Sequence, residues 1–266
     1  MIWALVAILA VAVTYFVSGY VEKRLLFHPV RKLQTKPQQI GLAFEEITLQ
    51  ATDGVNVHAW FIPHPQPLAT VLFSHGNSGN ISTRLPKLRV FHELRLSVLL
   101  YDYRGYGQSG GSPTEPGLYL DGQTAYDWLA NQKKISGDRL IAYGESLGGA
   151  VSVHLAARNK LGAIILEGTF AKYEEVARHH YPLLWRFRRM KFETVRLVES
   201  LTLPTLVLHS SEDEIIPVDQ GRQLFAAAKQ PKAFVELHGN HNGSFYDSGA
   251  VYEDGLRNFL AAHFHG

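Results

Sequence analysis

The stretch Gly144-Glu145-Ser146-Leu147-Gly148 decides the fold expected for this chain. It fits the pattern G-x-S-x-G and stands between an apolar run, Leu140 to Tyr143, and a helical stretch, Leu147 to Arg158. At a sharp turn from strand to helix, glycines two residues before and after the serine leave room for a strained backbone. Such a turn places Ser146 at a helix N-terminus, where N–H groups and the helix dipole favour an oxyanion. The pattern predicts that Ser146 is a nucleophile; a plain glycine-rich turn is the alternative.

Short apolar runs and helical stretches alternate on both sides of this turn. Phe44–Leu49 and Val55–Ile62 flank Asp53-Gly54, which predicts an antiparallel hairpin. Further strands are predicted at Thr70–Phe73, Ser97–Tyr101, Leu140–Tyr143, Ala163–Leu166, Thr205–Leu208 and Ala233–Leu237. The helical stretches are Arg84–Leu94, Glu115–Asn131, Leu147–Arg158, Asp219–Ala228 and Tyr252–Phe264. A hairpin followed by strand–helix units predicts an α/β fold, with a mostly parallel eight-stranded sheet and helices on both faces.

One stretch, about residues 170–200, interrupts this alternation and has no strand of its own. Its pattern is typical of one or two helices interrupted at Pro182. A long excursion in a compact domain is usually a lid or disordered. Disorder is disfavoured by the aromatic residues of this stretch, which are Tyr173, Tyr181, Trp185, Phe187 and Phe192. We therefore expect a short helical cap over the edge of the sheet.

A serine nucleophile needs a general base, which in this architecture follows the acid in the chain order serine, acid, histidine. His241 follows the last predicted strand and precedes the C-terminal helix, so it is the expected base. His238 ends that strand and is the less favoured alternative. The remaining C-terminal histidines, His263 and His265, are expected to face solvent.

The acid is expected in the loop after the strand Thr205–Leu208. Three acids, Glu212, Asp213 and Glu214, cluster in this loop. A short carboxylate on a tight loop holds an imidazole tautomer best, which favours Asp213. Glu167, at the end of the preceding strand, is an alternative acid.

An oxyanion hole needs two backbone donors. One is expected from the amide of Leu147, the residue after the nucleophile. The second is expected from the loop Ser74-His75-Gly76-Asn77, where Gly76 allows a close backbone approach and the amide of Asn77 is the candidate donor. His75 is interpreted as a structural histidine that braces this loop.

The N-terminal segment, residues 1–21, carries no charged side chain. A helix of about 21 residues spans roughly 31 Å, which matches a bilayer core of about 30 Å. A cleaved signal peptide is the alternative, but no Lys or Arg precedes the apolar run. We therefore predict a single-pass transmembrane anchor over residues 1–21.

Basic residues follow this segment, which predicts by the positive-inside rule that the remainder of the chain is cytoplasmic. They are Lys23, Arg24, Arg31, Lys32 and Lys36. A linker is predicted over residues 22–43 and a catalytic domain over 44–266. Because that linker is expected to separate the anchor from the site, deletion of residues 1–21 is expected to spare turnover of small esters.

Composition excludes several classes of function. The chain has 266 residues, with 26 Lys and Arg against 24 Asp and Glu, a net charge of +2. A general nucleic-acid binder is normally more basic, so no nucleic acid is expected as a partner. The chain has no Cys, which excludes disulfides, Cys-ligated zinc, iron–sulfur clusters and a cysteine nucleophile. His179-His180 lacks partners at metal-ligand spacing, so no metal site is expected.

Taken jointly, the motifs of the chain resemble those of the α/β-hydrolase superfamily. The resemblance is to its small membrane-anchored serine hydrolases, which are similar to serine aminopeptidases and related to dienelactone hydrolases. It runs from about Leu25 to Phe264 and rests on Ser74–Asn77, Tyr101–Gly107, Gly117–Asp121, Gly144–Gly149, Ser211–Pro217 and Gly239–Asn242. By this resemblance Ser146, Asp213 and His241 form a catalytic triad that needs no cofactor. Asp102 and Arg104 match a part of the pattern that we interpret as an internal brace.

The function expected first is a serine hydrolase that cleaves carboxylic esters or thioesters through an acyl-enzyme. Its partners would be a small-molecule or acyl substrate and, through the anchor, membrane lipid, with medium-chain acyl esters preferred over acetyl esters. A serine peptidase of the same mechanism is one alternative, for which the acids of the cap are candidate amine-binding groups: Glu174, Glu175, Glu193 and Glu199. A non-catalytic membrane-tethered binding module is another.

Overall fold

A computed structural model describes residues 17–183 and 185–265 of the chain. Its strands, in chain order, are β1 (His28–Pro29), β2 (Glu45–Gln50), β3 (Asn56–Ile62), β4 (Ala69–Ser74), β5 (Ser78–Gly79), β6 (Leu96–Tyr101), β7 (Leu140–Glu145), β8 (Ala163–Glu167), β9 (Thr205–Ser210) and β10 (Lys232–Leu237). Its α-helices are α1 (17–26), α2 (Leu85–Glu93), α3 (Glu115–Asp127), α4 (Leu147–Ala156), α5 (Tyr173–His180), α6 (Thr194–Val198), α7 (Val218–Ala227), α8 (Ser244–Ser248) and α9 (Ala250–His263).

The central sheet has eight strands in the order β10-β9-β8-β7-β4-β6-β3-β2. Only β3 runs against its neighbours, since it pairs antiparallel with both β2 and β6 while the other pairs are parallel. The turn between β2 and β3 contains Gly54 at φ +82°, a conformation that favours glycine. The predicted mostly parallel sheet is confirmed. The two-residue pair β1–β5, which the sequence did not predict, lies outside this sheet.

The sheet is covered on both faces, as predicted. In β6, Leu99 and Tyr101 belong to the apolar layer under α3 and α4, while Val98 and Leu100 belong to the layer under α2 and α9. Alternate residues of one strand are therefore buried on opposite faces. This explains why the central strands are continuous apolar runs in the sequence.

The cap region, about residues 170–200, contains α5, a 3₁₀ turn at Trp185–Phe187 and α6. Helix α5 ends two residues before Pro182, where the interruption was predicted. The rings of Phe170 and Tyr173 lie 5.8 and 5.4 Å from that of Phe192. Because these three side chains are buried, the cap is packed onto the domain.

The predicted anchor lies partly outside the described residues, which include only positions 17–21 of it, at the start of α1. Among the residues that are described, no helix is both long and apolar enough to cross a membrane. Residues 22–43, predicted as a linker, pack against the domain. Phe27 is buried in the core, and the Asn80 side-chain amide donates to the carbonyls of Val30 and Lys32, each at 2.9 Å.

Candidate active site

Ser146 occupies a sharp turn between β7 and α4. Its backbone has φ 51° and ψ −116°, which is unfavourable for a residue with a side chain. A Cβ on Gly144 would collide with the backbone of Gly149, and one on Gly148 would collide with the carbonyl of Ser74. Glycine is thus required at both positions for the turn to close against β4. The strain at Ser146 projects its side chain above the carboxyl edge of the sheet.

Three side chains from three different loops meet at this edge. The Ser146 hydroxyl lies 3.1 Å from Nε2 of His241, and Nδ1 of His241 lies 2.6 Å from Oδ2 of Asp213. These residues follow β7, β10 and β9, strands whose carboxyl ends share one edge. The structure therefore brings the predicted serine, acid and histidine into one hydrogen-bonded row. Their side chains are largely buried.

Asp213 is held by its own loop. Its Oδ1 accepts hydrogen bonds from the amides of Ile215 and Ile216, at 3.0 and 2.7 Å. This leaves Oδ2 to face the imidazole of His241. Glu214 instead accepts the backbone amide of His241 at 2.9 Å, and so positions the same loop.

The electrostatics of the row favour a charged imidazole. Burial of the His241 ring lowers its pKa, but the hydrogen bond and charge of Asp213 raise it more, with help from Glu145 and Glu214. The net pKa lies above the ordinary value of 6.5. An imidazole in these surroundings holds a proton well once it is protonated.

His238 and Glu167, the alternative base and the alternative acid, make different contacts. His238 has 62 % of its side chain exposed and lies 3.8 Å from Glu212 at the surface. Glu167 bonds to Lys87 Nζ at 2.7 Å and to the Tyr252 hydroxyl at 3.0 Å. Among the described contacts, neither side chain forms a hydrogen bond with the side chain of Ser146 or His241.

A buried charge network lies directly below the turn, and sequence reasoning missed it. Lys87 Nζ bonds to Glu145 and Glu167, both at 2.7 Å, and Arg84 bonds to Glu145 at 2.8 Å. Burial raises the pKa of Glu145, but the charges of Arg84 and Lys87 hold it far below its usual value. Glu145, the residue before Ser146, is therefore a fixed carboxylate. No sequence signal pairs these residues, because Lys87 stands 58 and 80 positions from its partners.

The two expected oxyanion donors both border the cavity that contains Ser146. Leu147 opens α4, and within the described residues its amide and that of Asn77 donate no hydrogen bond. Asn77 is fixed because its carbonyl accepts from the His28 amide at 3.0 Å and the Tyr106 hydroxyl at 2.7 Å. The geometry leaves both N–H groups available for an oxyanion.

His75, on the same loop, is a structural residue as interpreted from the sequence. Its ring is fully buried, and Nδ1 lies 2.7 Å from the carbonyl of Gly76. Burial lowers the pKa of His75 to about 4, so the ring is neutral at physiological pH. Of the two residues interpreted as a brace, Arg104 bonds to Asp121 at 2.8 Å and to Asp53 at 2.7 Å, and Asp102 accepts the amide of Ile81 at 2.9 Å.

A cavity of about 810 Å³ opens beside Ser146 and lies within the usual size range of ligand sites. Its walls are mainly apolar and come from α1, from α5 and from the loops that carry the site. They include Val21, Leu25, Phe170, Val176 and Trp185. The contribution of α1 was missed, because the sequence assigned residues 1–21 to an anchor apart from the site.

The acids of the cap do not border this cavity. Glu174 pairs with Arg188, Glu175 with Lys172, and Glu193 with Arg196. Among the described residues that line the cavity, Glu22 is the only carboxylate. Within the same part of the chain, no group of three or more His, Asp or Glu side chains is arranged to hold a metal ion.

Comparison with known proteins places these features in context. Residues 65–197 match the family described as serine aminopeptidase, S33. The chain is 34% identical over 263 residues to the protein Rv2307c of Mycobacterium tuberculosis, covering 97% of this chain and 93% of that protein. It is 34% identical over 260 residues to the alpha/beta hydrolase domain-containing protein WAV2 of Arabidopsis thaliana, covering 87% and 84%.

Solved structures share the fold. The esterase Pf2001 of Pyrococcus furiosus superposes with a TM-score of 0.77, at 16% identity, over 90% of this chain and 98% of that protein. At this identity the likeness establishes the fold.

Proposed function

The chain belongs to the serine aminopeptidase S33 family of α/β-hydrolases, and on that premise we propose that it is a serine hydrolase of carboxylic esters or thioesters. The observation that carries the proposal is the row Ser146–His241–Asp213, with contacts of 3.1 and 2.6 Å. A serine hydroxyl aligned with an imidazole, itself aligned with a carboxylate, is the arrangement that activates serine for attack on a carbonyl.

The mechanism follows from these contacts. His241 takes the hydroxyl proton of Ser146 as the serine oxygen attacks the carbonyl carbon. Asp213 holds the imidazole with its Nδ1 protonated and stabilises the imidazolium that forms. The amides of Leu147 and Asn77 donate to the carbonyl oxygen as it becomes an oxyanion.

The acyl-enzyme forms when the bond to the leaving group breaks. His241 gives its proton to the departing alcohol or thiol. A water molecule then repeats the sequence on the acyl-serine, which releases the acid and restores the Ser146 hydroxyl. No cofactor enters either half of the reaction.

The cavity beside Ser146 supports an acyl substrate. Its apolar walls suit a hydrocarbon chain, because burial of each methylene group contributes about 0.8 kcal/mol. Residues 1–21 form the proposed membrane anchor, with the catalytic domain on the cytoplasmic side. This arrangement keeps the site near lipid-borne substrates.

A peptidase of the same mechanism is the second candidate, favoured by the description of the matching family. An aminopeptidase needs a carboxylate for the substrate amine, and Glu22 is the candidate among the described lining residues. Its carboxylate already accepts the backbone amides of Arg189 and Met190, at 2.7 and 3.3 Å. Ester hydrolysis is therefore the better supported of the two.

The test combines a fluorophosphonate probe with a substrate panel. The wild-type protein should be labelled at Ser146, and Ser146→Ala should abolish both labelling and turnover. Ser78→Ala, at a serine that borders the same cavity, should retain both and serves as the matched control. Faster cleavage of aminoacyl anilides than of acyl esters would favour the peptidase, and an unlabelled wild-type protein would leave only a binding module.

A further inference from the structure

Resting on the proposed ester hydrolysis, we propose that helix α1 forms one wall of the acyl-binding site. In this arrangement Val21 and Leu25 contact the acyl chain and set the chain length that the enzyme accepts. The acyl group comes from a membrane lipid and enters between the outer ends of α1 and α5.

One face of α1 borders the cavity. The bordering positions are adjacent pairs that recur every four residues: Val17 and Ser18, Val21 and Glu22, and Leu25 and Leu26. This spacing describes one side of an α-helix. The face of α5 that carries Tyr173, Val176 and Ala177 borders the same cavity, as do Ser146 and His241. A chain attached to Ser146 therefore lies between two helices.

Glu22 holds α1 against the cap. Its carboxylate accepts the amides of Arg189 and Met190 in the cap, at 2.7 and 3.3 Å. Burial raises the pKa of Glu22, although the two amides act in the opposite direction. Glu115 holds the next two amides of the same loop, those of Lys191 and Phe192, at 2.7 and 2.8 Å. Two carboxylates thus clamp one cap loop, and one of them belongs to α1.

The other end of α1 is tied to the proposed oxyanion loop. The Asn77 side-chain amide donates to the carbonyl of Leu26 at 2.8 Å. The following residues pair with the same loop through β1 and β5. Helix α1 consequently bridges the cap and the loop that carries Asn77, so it is a structural part of the site.

The mouth of the cavity is assigned to the side between the first described turn of α1 and the end of α5, because exposed apolar residues border the cavity there. Val17 and Tyr181 both border the cavity and are also exposed, at 54% and 37%. Tyr20 and Leu183, near these ends in sequence, are exposed at 61% and 85%. Large apolar groups in water at the mouth indicate contact with an apolar phase. The chain reaches this point from residues 1–16, which carry no charge, so a lipid bilayer is the surface that fits.

This placement corrects one expectation from the sequence. The anchor and the site were expected to be separate, yet Val17, Ser18 and Val21 line the same cavity as Ser146. Loss of residues 1–21 would therefore remove part of the acyl-binding wall as well as the anchor. The full chain with point substitutions is the proper subject for a test.

The experiment places larger side chains on α1, which should make the cavity narrower. Val21→Trp and Leu25→Trp are compared with wild type on acetyl, butyryl and octanoyl p-nitrophenyl esters in detergent solution. Wild type should prefer octanoyl to acetyl. Each Trp variant should lower the octanoyl-to-acetyl ratio of kcat/KM by about tenfold or more, equivalent to losing burial of about two methylene groups. The ratio is the readout, and circular dichroism shows whether each variant is folded.

Tyr20→Trp is the matched control, because Tyr20 lies on the same helix but outside the cavity. It should leave the ratio unchanged in solution and octanoyl-lipid cleavage in vesicles intact. Leu25→Ala widens the cavity and should shift the preference toward longer chains, which keeps the test valid if a Trp variant fails to fold.

Unchanged chain-length profiles in folded Val21 and Leu25 variants would overturn the assignment of the wall. That outcome leaves the proposed function intact as long as wild type cleaves acetyl esters. Absence of ester cleavage and of labelling in wild type would instead refute the proposed function itself. If the folded variants lost acetyl and octanoyl turnover equally, this would also contradict a role of α1 in selecting the length of the acyl chain.

Discussion

Asp213→Asn tests the proposed mechanism at its most specific contact. Asp213 Oδ1 is bound by the amides of Ile215 and Ile216, so an asparagine at this position keeps its oxygen there. Its NH₂ group then faces Nδ1 of His241, 2.6 Å away in wild type. A donor in this place requires Nδ1 to accept, which moves the ring proton to Nε2. Nε2 can no longer take the proton of Ser146, whose oxygen lies 3.1 Å from it.

The expected loss in kcat is about 10⁴-fold, because the imidazole is held in the wrong tautomer. At about 1.36 kcal/mol for each factor of ten, the change raises the activation free energy by about 5.4 kcal/mol. The substrate cavity is untouched, so KM should remain close to the wild-type value. Folding should be retained, since asparagine matches the shape of aspartate and preserves the two amide contacts.

The assay is single-substrate kinetics on an octanoyl ester, with circular dichroism to confirm the fold. Glu212→Gln removes an exposed acid from the same loop and should retain wild-type activity, which makes it the matched control. Glu167→Gln tests the alternative acid. It should lower the melting temperature, because Lys87 loses one of its two carboxylate partners. If Glu167→Gln reduced kcat more than Asp213→Asn, the acid would have to be assigned to the end of β8.

Further outcomes follow from the same site. His241→Ala should reduce kcat by several orders of magnitude, whereas His238→Ala, at an exposed ring, should change it by less than about threefold; similar losses in both would contradict the choice of base. Only neutral imidazole accepts the serine proton, and Asp213 raises the pKa of His241 above 6.5. The value of kcat/KM should therefore rise with pH through an inflection above 6.5, and a flat profile from about pH 5 to about pH 8 would exclude a histidine base unless another step limits the rate. Gly148→Ala should lower the free energy of unfolding by about 1–3 kcal/mol or more and also reduce kcat, because the new Cβ would collide with the Ser74 carbonyl and displace the loop that carries Asn77. Thermal melting and kinetics measure the two effects, and unchanged values would show that the turn tolerates the methyl group.

The sheet and the row of three residues could be predicted because each depends on local patterns. The apolar runs of the strands follow from burial on both faces, as Leu99 and Val98 illustrate on opposite sides of β6. The G-x-S-x-G turn is a local steric requirement. Once strands run parallel, their carboxyl ends share one edge, so residues after β9 and β10 come together with Ser146 although they are distant in sequence.

Other features depend on long-range packing that no local pattern encodes. Lys87 looks like an ordinary helical surface residue in the sequence, yet its ammonium group is buried against Glu145 and Glu167. The sequence favoured Asp213 over Glu167 by its loop, and the contact of Asp213 with His241 at 2.6 Å agrees with that choice. The position of α1 could not be read from an apolar segment, since a cavity wall and a membrane helix demand the same kind of residue.

Helix α1 borders the cavity and also continues the predicted membrane anchor, two properties that the sequence analysis assigned to separate parts of the chain. A helix that only tethered the domain would gain nothing from a carboxylate buried against the cap. Glu22 accepts two cap amides at the cost of its own desolvation, and this cost is offset only while α1 and the cap stay together. Movement of α1 relative to the cap would therefore open the cavity at Val21 and break these two hydrogen bonds. In the proposed acyl-binding site, the hydrocarbon chain of a substrate would stabilise the same arrangement, so binding of the acyl group and the proposed attachment to the membrane would act on one helix.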